Sequence, residues 1–202
     1  MSDNLKPKIL GIGGTPRVGS SSERALSISL RAAEADGAET LLIAGPDLLF
    51  PMYNPSTPGR TEKASFLLDS IRQADGLIIA SPAYHGSMSG LVKNALDYIE
   101  DLRGDPRAYL DGMAIGLIIC AGGWQGAGQT LSALRGIVHA LRGWPTPLGA
   151  TLNTSNPLFS PDGELTDLSS KFQLEEVGRQ VAEFARMKKS ARGQQMLQSI
   201  GS

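Results

Sequence analysis

The chain has 202 residues, of which 41% are hydrophobic and 19% charged, and its formal net charge is −1. This composition excludes an intrinsically disordered chain, and the balanced charge gives no electrostatic basis for binding nucleic acid or an anionic membrane. A lone cysteine, no apolar N-terminal stretch and no apolar run approaching about 20 residues argue against a disulfide-stabilised, exported or membrane-spanning chain, so we expect a cytoplasmic protein.

Apolar and amphipathic segments alternate from residue 8 onward and are separated by loops rich in proline and glycine. The predicted strands cover residues 8–13, 39–43, 77–80, 113–120 and, more weakly, 146–152. The predicted helices cover residues 22–36, 61–74, 90–102, 130–141 and 168–187. Strands that alternate with helices predict a parallel sheet with right-handed crossovers, covered by helices on both faces.

We therefore expect an α/β fold, a flavodoxin-like three-layer sandwich around a five-stranded parallel sheet of order 2-1-3-4-5. A single domain would occupy residues 1–188, and residues 189–202 would form a mobile C-terminal tail. In this strand order, the loops after the first, third and fourth strands open into one crevice. These loops, GGTPRVGSSS, SPAYHGSMS and AGGWQGAGQ, are the chain's three richest in glycine and hydroxyl side chains.

The first of these loops has the composition of a phosphate-binding turn. Thr15, Ser20, Ser21 and Ser22 offer hydroxyl groups, and Arg17 offers a permanently charged, forked set of donors. The start of the following helix adds unpaired N–H groups and a partial positive charge. Taken alone, the same residues also fit a serine helix cap beside an unrelated surface arginine.

Two common nucleotide-binding loops are excluded at this position. The P-loop needs a lysine followed by serine or threonine directly after its last glycine, and no such pair occurs here. GIGGTP is not the dinucleotide-binding GxGxxG, because Pro16 occupies the place of the third glycine. The second strand also ends without the acidic residue that binds ribose, so NAD held in the Rossmann manner is not expected.

The second and third loops offer groups for a flat ring. Pro82 stiffens the exit from the third strand, and Tyr84 or His85 could lie against a heterocycle, although a lone loop histidine is more often a surface group. Trp124 could close over a ligand or contact a neighbouring subunit. Cys120 ends an apolar strand and is expected to be buried and inert. The spacing of histidines, cysteines and carboxylates indicates no metal site.

Three segments together resemble the NADPH-dependent FMN reductase family, which includes quinone, azo and chromate reductases. GTPRVGSS is similar to the family's G-S-x-R-x-x-S, and AGGWQG to its third glycine loop. SPAYHGSMSGLVKNALDYI resembles the family's second motif, a proline–tyrosine loop that runs into a lysine–asparagine helix. The resemblance covers residues 8 to about 150, and this second segment is its most specific part.

The resemblance implies a role for each matching residue. The FMN phosphate would be held by Thr15, Arg17, Ser20 and Ser22. The isoalloxazine would be lined by Pro82, Ala83, Tyr84 and His85, with Gly122 and Gly123 beneath its far edge. Lys93, Asn94 and Asp97 would orient the second loop and its helix. Ala83 departs from the glutamate that many members carry, and residues 153–202 match too poorly to support any assignment.

The implied function is transfer of hydride from NADPH or NADH, through bound FMN, to a small acceptor such as free flavin, a quinone, an azo compound or a metal oxyanion. Such a site needs stacking and orientation but no catalytic acid–base pair. One alternative is a non-enzymatic, flavodoxin-like electron carrier or redox sensor, although such carriers are commonly strongly acidic. Another alternative is a hydrolase or other nucleotide-binding enzyme on the same fold.

The family is usually dimeric or tetrameric, so the resemblance implies a homodimer or homotetramer. The proline-rich segment 44–60 carries five apolar residues that look exposed in the sequence, Leu48, Leu49, Phe50, Met52 and Tyr53. These side chains would either contact a second subunit or pack on the edge of the sheet.

Overall fold

The computed structural model describes the backbone of residues 6–200 and the side chains of residues 6–191. The described strands are β1 (Lys8–Gly13), β2 (Glu39–Ala44), β3 (Gly76–Tyr84), β4 (Ser87–Met88), β5 (Ala114–Ala121), β6 (Trp144–Pro145) and β7 (Ala150–Asn153). The described α-helices are α1 (Ser21–Ala35), α2 (Glu62–Gln73), α3 (Gly90–Asp97), α4 (Trp124–Ala140) and α5 (Leu168–Ile200). Two 3₁₀ helices, Gly45–Leu48 and Tyr98–Leu102, follow β2 and α3.

The main strands form a parallel sheet in the order β2-β1-β3-β5, and both β6 and β7 pair with β5 at its far edge. The predicted order 2-1-3-4-5 is therefore confirmed, with β5 as the fourth strand. The predicted fifth strand is divided into β6 and β7. The division follows from Pro145 and Pro147, which lack the N–H that a continuous ladder requires.

Helices cover both faces of the sheet, which confirms the three-layer sandwich. On one face, Leu10 and Ile12 belong to a buried cluster that includes Leu67 of α2 and Leu134 of α4. On the other face, Ile9 belongs to a cluster formed with residues of α1 and α5. Alternate residues of β1 thus enter opposite cores, as the two-residue period of a strand requires.

Helices α1 and α5 cross at very short range. A Cβ added to Gly178 would lie 2.1 Å from the carbonyl oxygen of Ser29. The Ser29 hydroxyl donates a hydrogen bond of 2.6 Å to the carbonyl oxygen of Leu174. The position of α1 therefore depends on α5, the last helix of the fold.

Helix α5 extends to Ile200, beyond the end predicted near residue 187. The single domain over residues 1–188 and the mobility of residues 189–202 stay predictions, and residues 201 and 202 lie outside the described backbone. Across residues 6–200, no helix combines the length and the apolar character needed to cross a bilayer.

The prediction of a long third loop, residues 121–129, was wrong. Helix α4 begins at Trp124 rather than at residue 130, and the Ala127 N–H donates to the Gly123 carbonyl oxygen at 3.2 Å. Glycine inside a helix costs about 1 kcal/mol relative to alanine. Burial of Ala127 and Leu134 on the inner face of α4 offsets the cost of the two glycines in the first turns.

The segment 44–60 is held against α3. The Asn94 side chain accepts a hydrogen bond of 2.8 Å from the Tyr53 N–H and donates one of 3.1 Å to the Pro51 carbonyl oxygen. Leu48 is fully buried, so for this residue packing within the subunit is the correct alternative. Met52 remains 76% exposed. The apolar residues of this segment are thus divided between core and surface.

Candidate functional site

A cleft of about 220 Å³ lies at the carboxyl ends of β1, β3, β5 and β7. It includes the point where the chain order of the strands reverses, between β1 and β3, where α/β sheets bind ligands. The cleft is lined by Thr15, Arg17, Ser20, Ser21, Ser22, Pro82, Ala83, Tyr84, Cys120, Ala121, Gly122 and Thr154. Nine of the eleven predicted site residues are in this set, and His85 and Gly123 are not.

The first loop is pressed closely against β3. A Cβ on Gly13 would lie 2.2 Å from the carbonyl oxygen of Ala80, so only glycine fits at the end of β1. Gly14 has a φ of +91°, and its N–H donates to the same carbonyl oxygen at 3.3 Å. The chain therefore turns sharply at the sheet edge and enters the cleft as exposed backbone.

The serines that follow form the start of α1. Ser20 is the N-cap, and its hydroxyl oxygen accepts a hydrogen bond of 3.3 Å from the Glu23 N–H. The hydroxyl oxygens of Ser20 and Ser22 are 3.4 Å apart and hydrogen-bonded, and both residues are buried. The N–H groups of Ser21 and Ser22 belong to the first turn, which has no preceding carbonyls within the helix. These N–H groups can donate hydrogen bonds to a bound anion.

Arg17 is the single cation that lines the cleft among the described side chains. Its guanidinium is exposed and makes no ion pair or hydrogen bond within residues 6–191. The backbone around it is ordered, because the Thr15 hydroxyl oxygen accepts a hydrogen bond of 3.2 Å from the Arg17 N–H. No carboxylate lines the described cleft. One unpaired cation, several hydroxyls and no acidic group favour an anionic ligand such as a phosphate.

The predicted second loop is instead an extension of β3 followed by a tight hairpin. Tyr84 pairs with Ser87, and the two residues between them, His85 and Gly86, have φ values of +52° and +85°. Positive φ at both central positions defines a type I′ turn. The hairpin carries Tyr84 at the cleft, 54% exposed, and turns away at His85.

Of the predicted third loop, only Gly122 and Gly123 lie between the end of β5 and the start of α4. A Cβ on either glycine would meet no atom within 4 Å, so each leaves open space beside its backbone. Gly123 is the N-cap of α4 and provides no side-chain cap. Trp124 follows at the rim and is 61% exposed. A second helix N-terminus therefore begins directly beside the cleft.

Cys120 contributes to the lining but is buried, as predicted. Burial raises the pKa of its thiol from 9.0 to about 12, so the group stays protonated at neutral pH. Across the described residues, no group of three or more histidines, cysteines or carboxylates is arranged to hold a metal ion.

A fourth segment, which sequence reasoning missed, follows β7. The Thr154 N–H donates to the Ala121 carbonyl oxygen at 2.7 Å, and the Ser155 hydroxyl donates to the Gly122 carbonyl oxygen. Strand order was the one available signal, because a strand beside β5 must end at the same edge of the sheet. The polar, turn-rich composition of residues 153–166 gave no further indication.

A larger cleft, of about 690 Å³, lies between α1, the 163–165 segment and α5. It is lined by charged side chains of both signs, Arg31, Asp36, Glu164, Lys171, Glu175 and Arg179. Among the residues that the structure describes, no strand ends at this larger cleft, and no glycine-rich turn lines it. The smaller cleft at the strand ends is therefore the better candidate for the functional site.

Comparison with known proteins identifies the family. The profile of the NADPH-dependent FMN reductase family matches residues 7–156. The FMN-dependent NADPH-azoreductase of Staphylococcus aureus is 34% identical over 125 residues, which are 62% of this chain and 63%, just under two thirds, of the azoreductase.

Solved structures support the same fold at lower sequence identity. FerB of Paracoccus denitrificans, an NAD(P)H:(acceptor) oxidoreductase, superposes with a TM-score of 0.72 at 19% identity, over 90% of this chain and 98% of FerB. An oxidoreductase from Corynebacterium diphtheriae superposes with a TM-score of 0.67 at 21% identity, over 90% and 97% of the two chains. Together with the match over residues 7–156, the fold and the cleft lead to one conclusion: this chain belongs to the NADPH-dependent FMN reductase family.

Proposed function

We propose that the chain binds FMN in the cleft at the strand ends and moves hydride from NADPH or NADH to a small electron acceptor. The observation that carries this proposal is the composition of the cleft. An unpaired arginine, hydroxyl groups and a helix N-terminus line it, and no described carboxylate does. This donor set fits a phosphate monoester, and exposed glycine backbone beside it fits a flat ring.

At the phosphate end, Arg17 would supply a charge-assisted, forked pair of N–H donors. The N–H groups of Ser21 and Ser22 and the Thr15 hydroxyl would complete the contacts. The hydroxyls of Ser20 and Ser22 are hydrogen-bonded to each other, so Ser20 would act mainly by capping α1 and keeping its first turn in position.

At the ring end, Pro82, Ala83 and Tyr84 would line one side, and the Gly122 backbone would line another. The N-terminus of α4, capped by Gly123, adds a partial positive charge beside the cleft. That charge would favour negative charge on a bound ring. His85, which turns the hairpin, and Gly123 remain expected contacts only through the family resemblance.

When bound, FMN supplies the hydride chemistry of the family. The residues of the chain would bind it, orient it and leave one face open for the nicotinamide and then for the acceptor. Cys120 cannot act as a nucleophile here, because burial keeps its thiol protonated. The proposed reaction requires no acid–base pair from the protein.

Two measurements test this proposal. The purified chain should be yellow, release FMN on denaturation, and oxidise NADPH or NADH when a quinone or free flavin is supplied. A protein that binds FMN but oxidises neither nucleotide would instead be an electron carrier or redox sensor. A colourless protein that binds no added FMN would favour a hydrolase or another nucleotide-binding enzyme. The acceptor is assigned by comparing kcat/KM for free flavin, quinone, azo dye and metal oxyanion.

Self-association as a homodimer or homotetramer is part of the proposal. Met52 and Leu49 are exposed on the segment held by Asn94, and Trp124 is exposed at the cleft rim. Large apolar side chains exposed to solvent favour a subunit contact. Light scattering at micromolar concentration measures the state, and a clean monomer would contradict it.

A further inference from the structure

We propose that Thr154 is a flavin-binding residue that acts on the part of FMN shared with riboflavin, not on the phosphate. This inference rests on the proposed function, because it assumes that FMN occupies the cleft at the strand ends. It adds a fourth segment, after β7, to the three loops that the sequence predicted.

The hydroxyl of Thr154 is available to a ligand. Thr154 is partly exposed and lines the cleft. Its side-chain oxygen has no hydrogen-bond partner in the part of the chain whose side chains are described, whereas its N–H is bonded to the Ala121 carbonyl oxygen at 2.7 Å. The backbone of Thr154 is thus fixed by its hydrogen bond to β5, and its hydroxyl can bond to a ligand.

The segment that carries Thr154 is rigidly attached to the third wall of the cleft. Asn153 pairs with Ala121 in the β5–β7 ladder, and its side-chain oxygen accepts a hydrogen bond of 2.9 Å from the Ser155 N–H. The Ser155 hydroxyl donates to the Gly122 carbonyl oxygen. These contacts on both sides hold Thr154 in register with Gly122, which is the arrangement a preorganised binding residue needs.

The strand order separates Thr154 from the phosphate loop. Thr15 and Arg17 follow β1, and the path from β1 to β7 crosses β3 and β5. Three steps between neighbouring strands, at about 4.8 Å each, amount to roughly 14 Å. We infer that a phosphate held at the β1 end of the cleft, by Arg17 and the first turn of α1, lies away from the Thr154 hydroxyl at the β7 end. A ligand that fills the cleft from β1 to β7 must place a different portion against Thr154.

Flavin binding by the full-length chain, freed of flavin, tests this assignment. Dissociation constants for FMN and for riboflavin are measured by quenching of flavin fluorescence. Thr154→Val should raise the dissociation constants of both flavins by the same factor. That factor should be about fivefold, the effect of one lost hydrogen bond. Thr154→Ser, which keeps the hydroxyl, should restore wild-type affinity. Thr151→Val, on β7 just before this segment and outside the cleft lining, is the matched control and should bind both flavins within about twofold of wild type.

The two ligands also separate this inference from the proposed function. Arg17→Ala should weaken FMN binding far more than riboflavin binding, because riboflavin has no phosphate. Affinities of Thr154→Val within twofold of wild type for both flavins would overturn the role of Thr154 and leave the proposed function standing. A loss confined to FMN would overturn its placement away from the phosphate. A wild-type chain that binds neither flavin would overturn the proposed function and this inference with it.

Discussion

The carboxylate of Glu23 accepts a hydrogen bond of 3.1 Å from the backbone N–H of Gly19. Gly19 has a φ of +70° and directly precedes the N-cap Ser20. The bond therefore ties the end of the first loop to the first turn of α1. Although this carboxylate is adjacent to the loop, it does not line the cleft, so the cleft keeps its positive character.

Removal of the hydrogen bond between Gly19 and Glu23 should make the first loop less ordered. Glu23→Ala is expected to lower the free energy of unfolding by about 1 kcal/mol and to weaken FMN binding several-fold. Glu23→Gln keeps an acceptor oxygen and should lie close to wild type in both. Urea unfolding and FMN titration measure these effects, with Glu183→Ala on the exposed side of α5 as control. Equal FMN affinity in Glu23→Ala and wild type would show that the loop holds its shape without this bond.

Arg17 should dominate binding of the phosphate. A charge-assisted hydrogen bond contributes about 1.5–3 kcal/mol, so Arg17→Ala is expected to raise the Kd for FMN by about 10- to 150-fold and to purify largely free of flavin. Arg17→Lys keeps the charge but loses the forked geometry and should be intermediate. The control is Arg24→Ala, one turn into α1 and outside the cleft lining. Full FMN content in Arg17→Ala would refute the phosphate assignment.

A methyl group at Gly122 should affect binding without affecting folding. A Cβ there would meet no protein atom within 4 Å, so Gly122→Ala should keep the wild-type Tm within about 2 °C. The same methyl group would stand beside the cleft and should weaken FMN binding. Gly104→Ala, equally free of contacts and remote from the cleft, should change neither quantity. Unchanged FMN affinity in Gly122→Ala would show that the ring does not lie beside the Gly122 backbone.

The buried thiol of Cys120 should make stability depend on alkaline pH. Its pKa rises from 9.0 in the unfolded chain to about 12 in the folded one, so the folded state retains the proton longer. Its contribution to stability is complete below pH 9 and is lost progressively as pH rises from about 9 to about 12. The difference in unfolding free energy between wild type and Cys120→Ala, measured by urea at pH 8 and pH 10, should therefore shrink at the higher pH.

If wild type and Cys120→Ala differ in unfolding free energy by the same amount at pH 8 and at pH 10, this linkage is contradicted. Alkylation gives an independent check at one pH. Iodoacetamide at pH 8 should leave the folded chain unmodified and should label Cys120 once the chain is denatured, because only the thiolate reacts.

The sheet and most of the cleft were predictable because they depend on local patterns. The apolar run 8–13 lies between Pro7 and Gly14, and β1 has these same limits. The strand order follows from the alternation of strands and helices, and with it the convergence of the loops after β1, β3 and β5. Nine predicted residues therefore share one cleft.

The failures arise where contacts distant in sequence outweigh local preference. Gly126 and Gly128 indicate a loop by propensity, but burial of Ala127 makes their segment helical. Thr154 had no periodic or motif signal, because its place in the cleft depends on a bond to Ala121 on another strand. His85, whose contact with the flavin stays a prediction, occupies the turn of a hairpin with a φ of +52° and does not line the cleft.

The close crossing of α1 and α5 has a consequence for biosynthesis. The bond from Ser29 to Leu174 joins residues 145 positions apart. At about 5–20 residues per second, a ribosome needs roughly 7–30 s to travel from one to the other. A nascent chain therefore exposes the loop around Arg17 well before the helix that supports α1 has been made. Stable flavin binding would therefore have to wait until α5 has been synthesised, although every predicted phosphate contact lies within the first 22 residues.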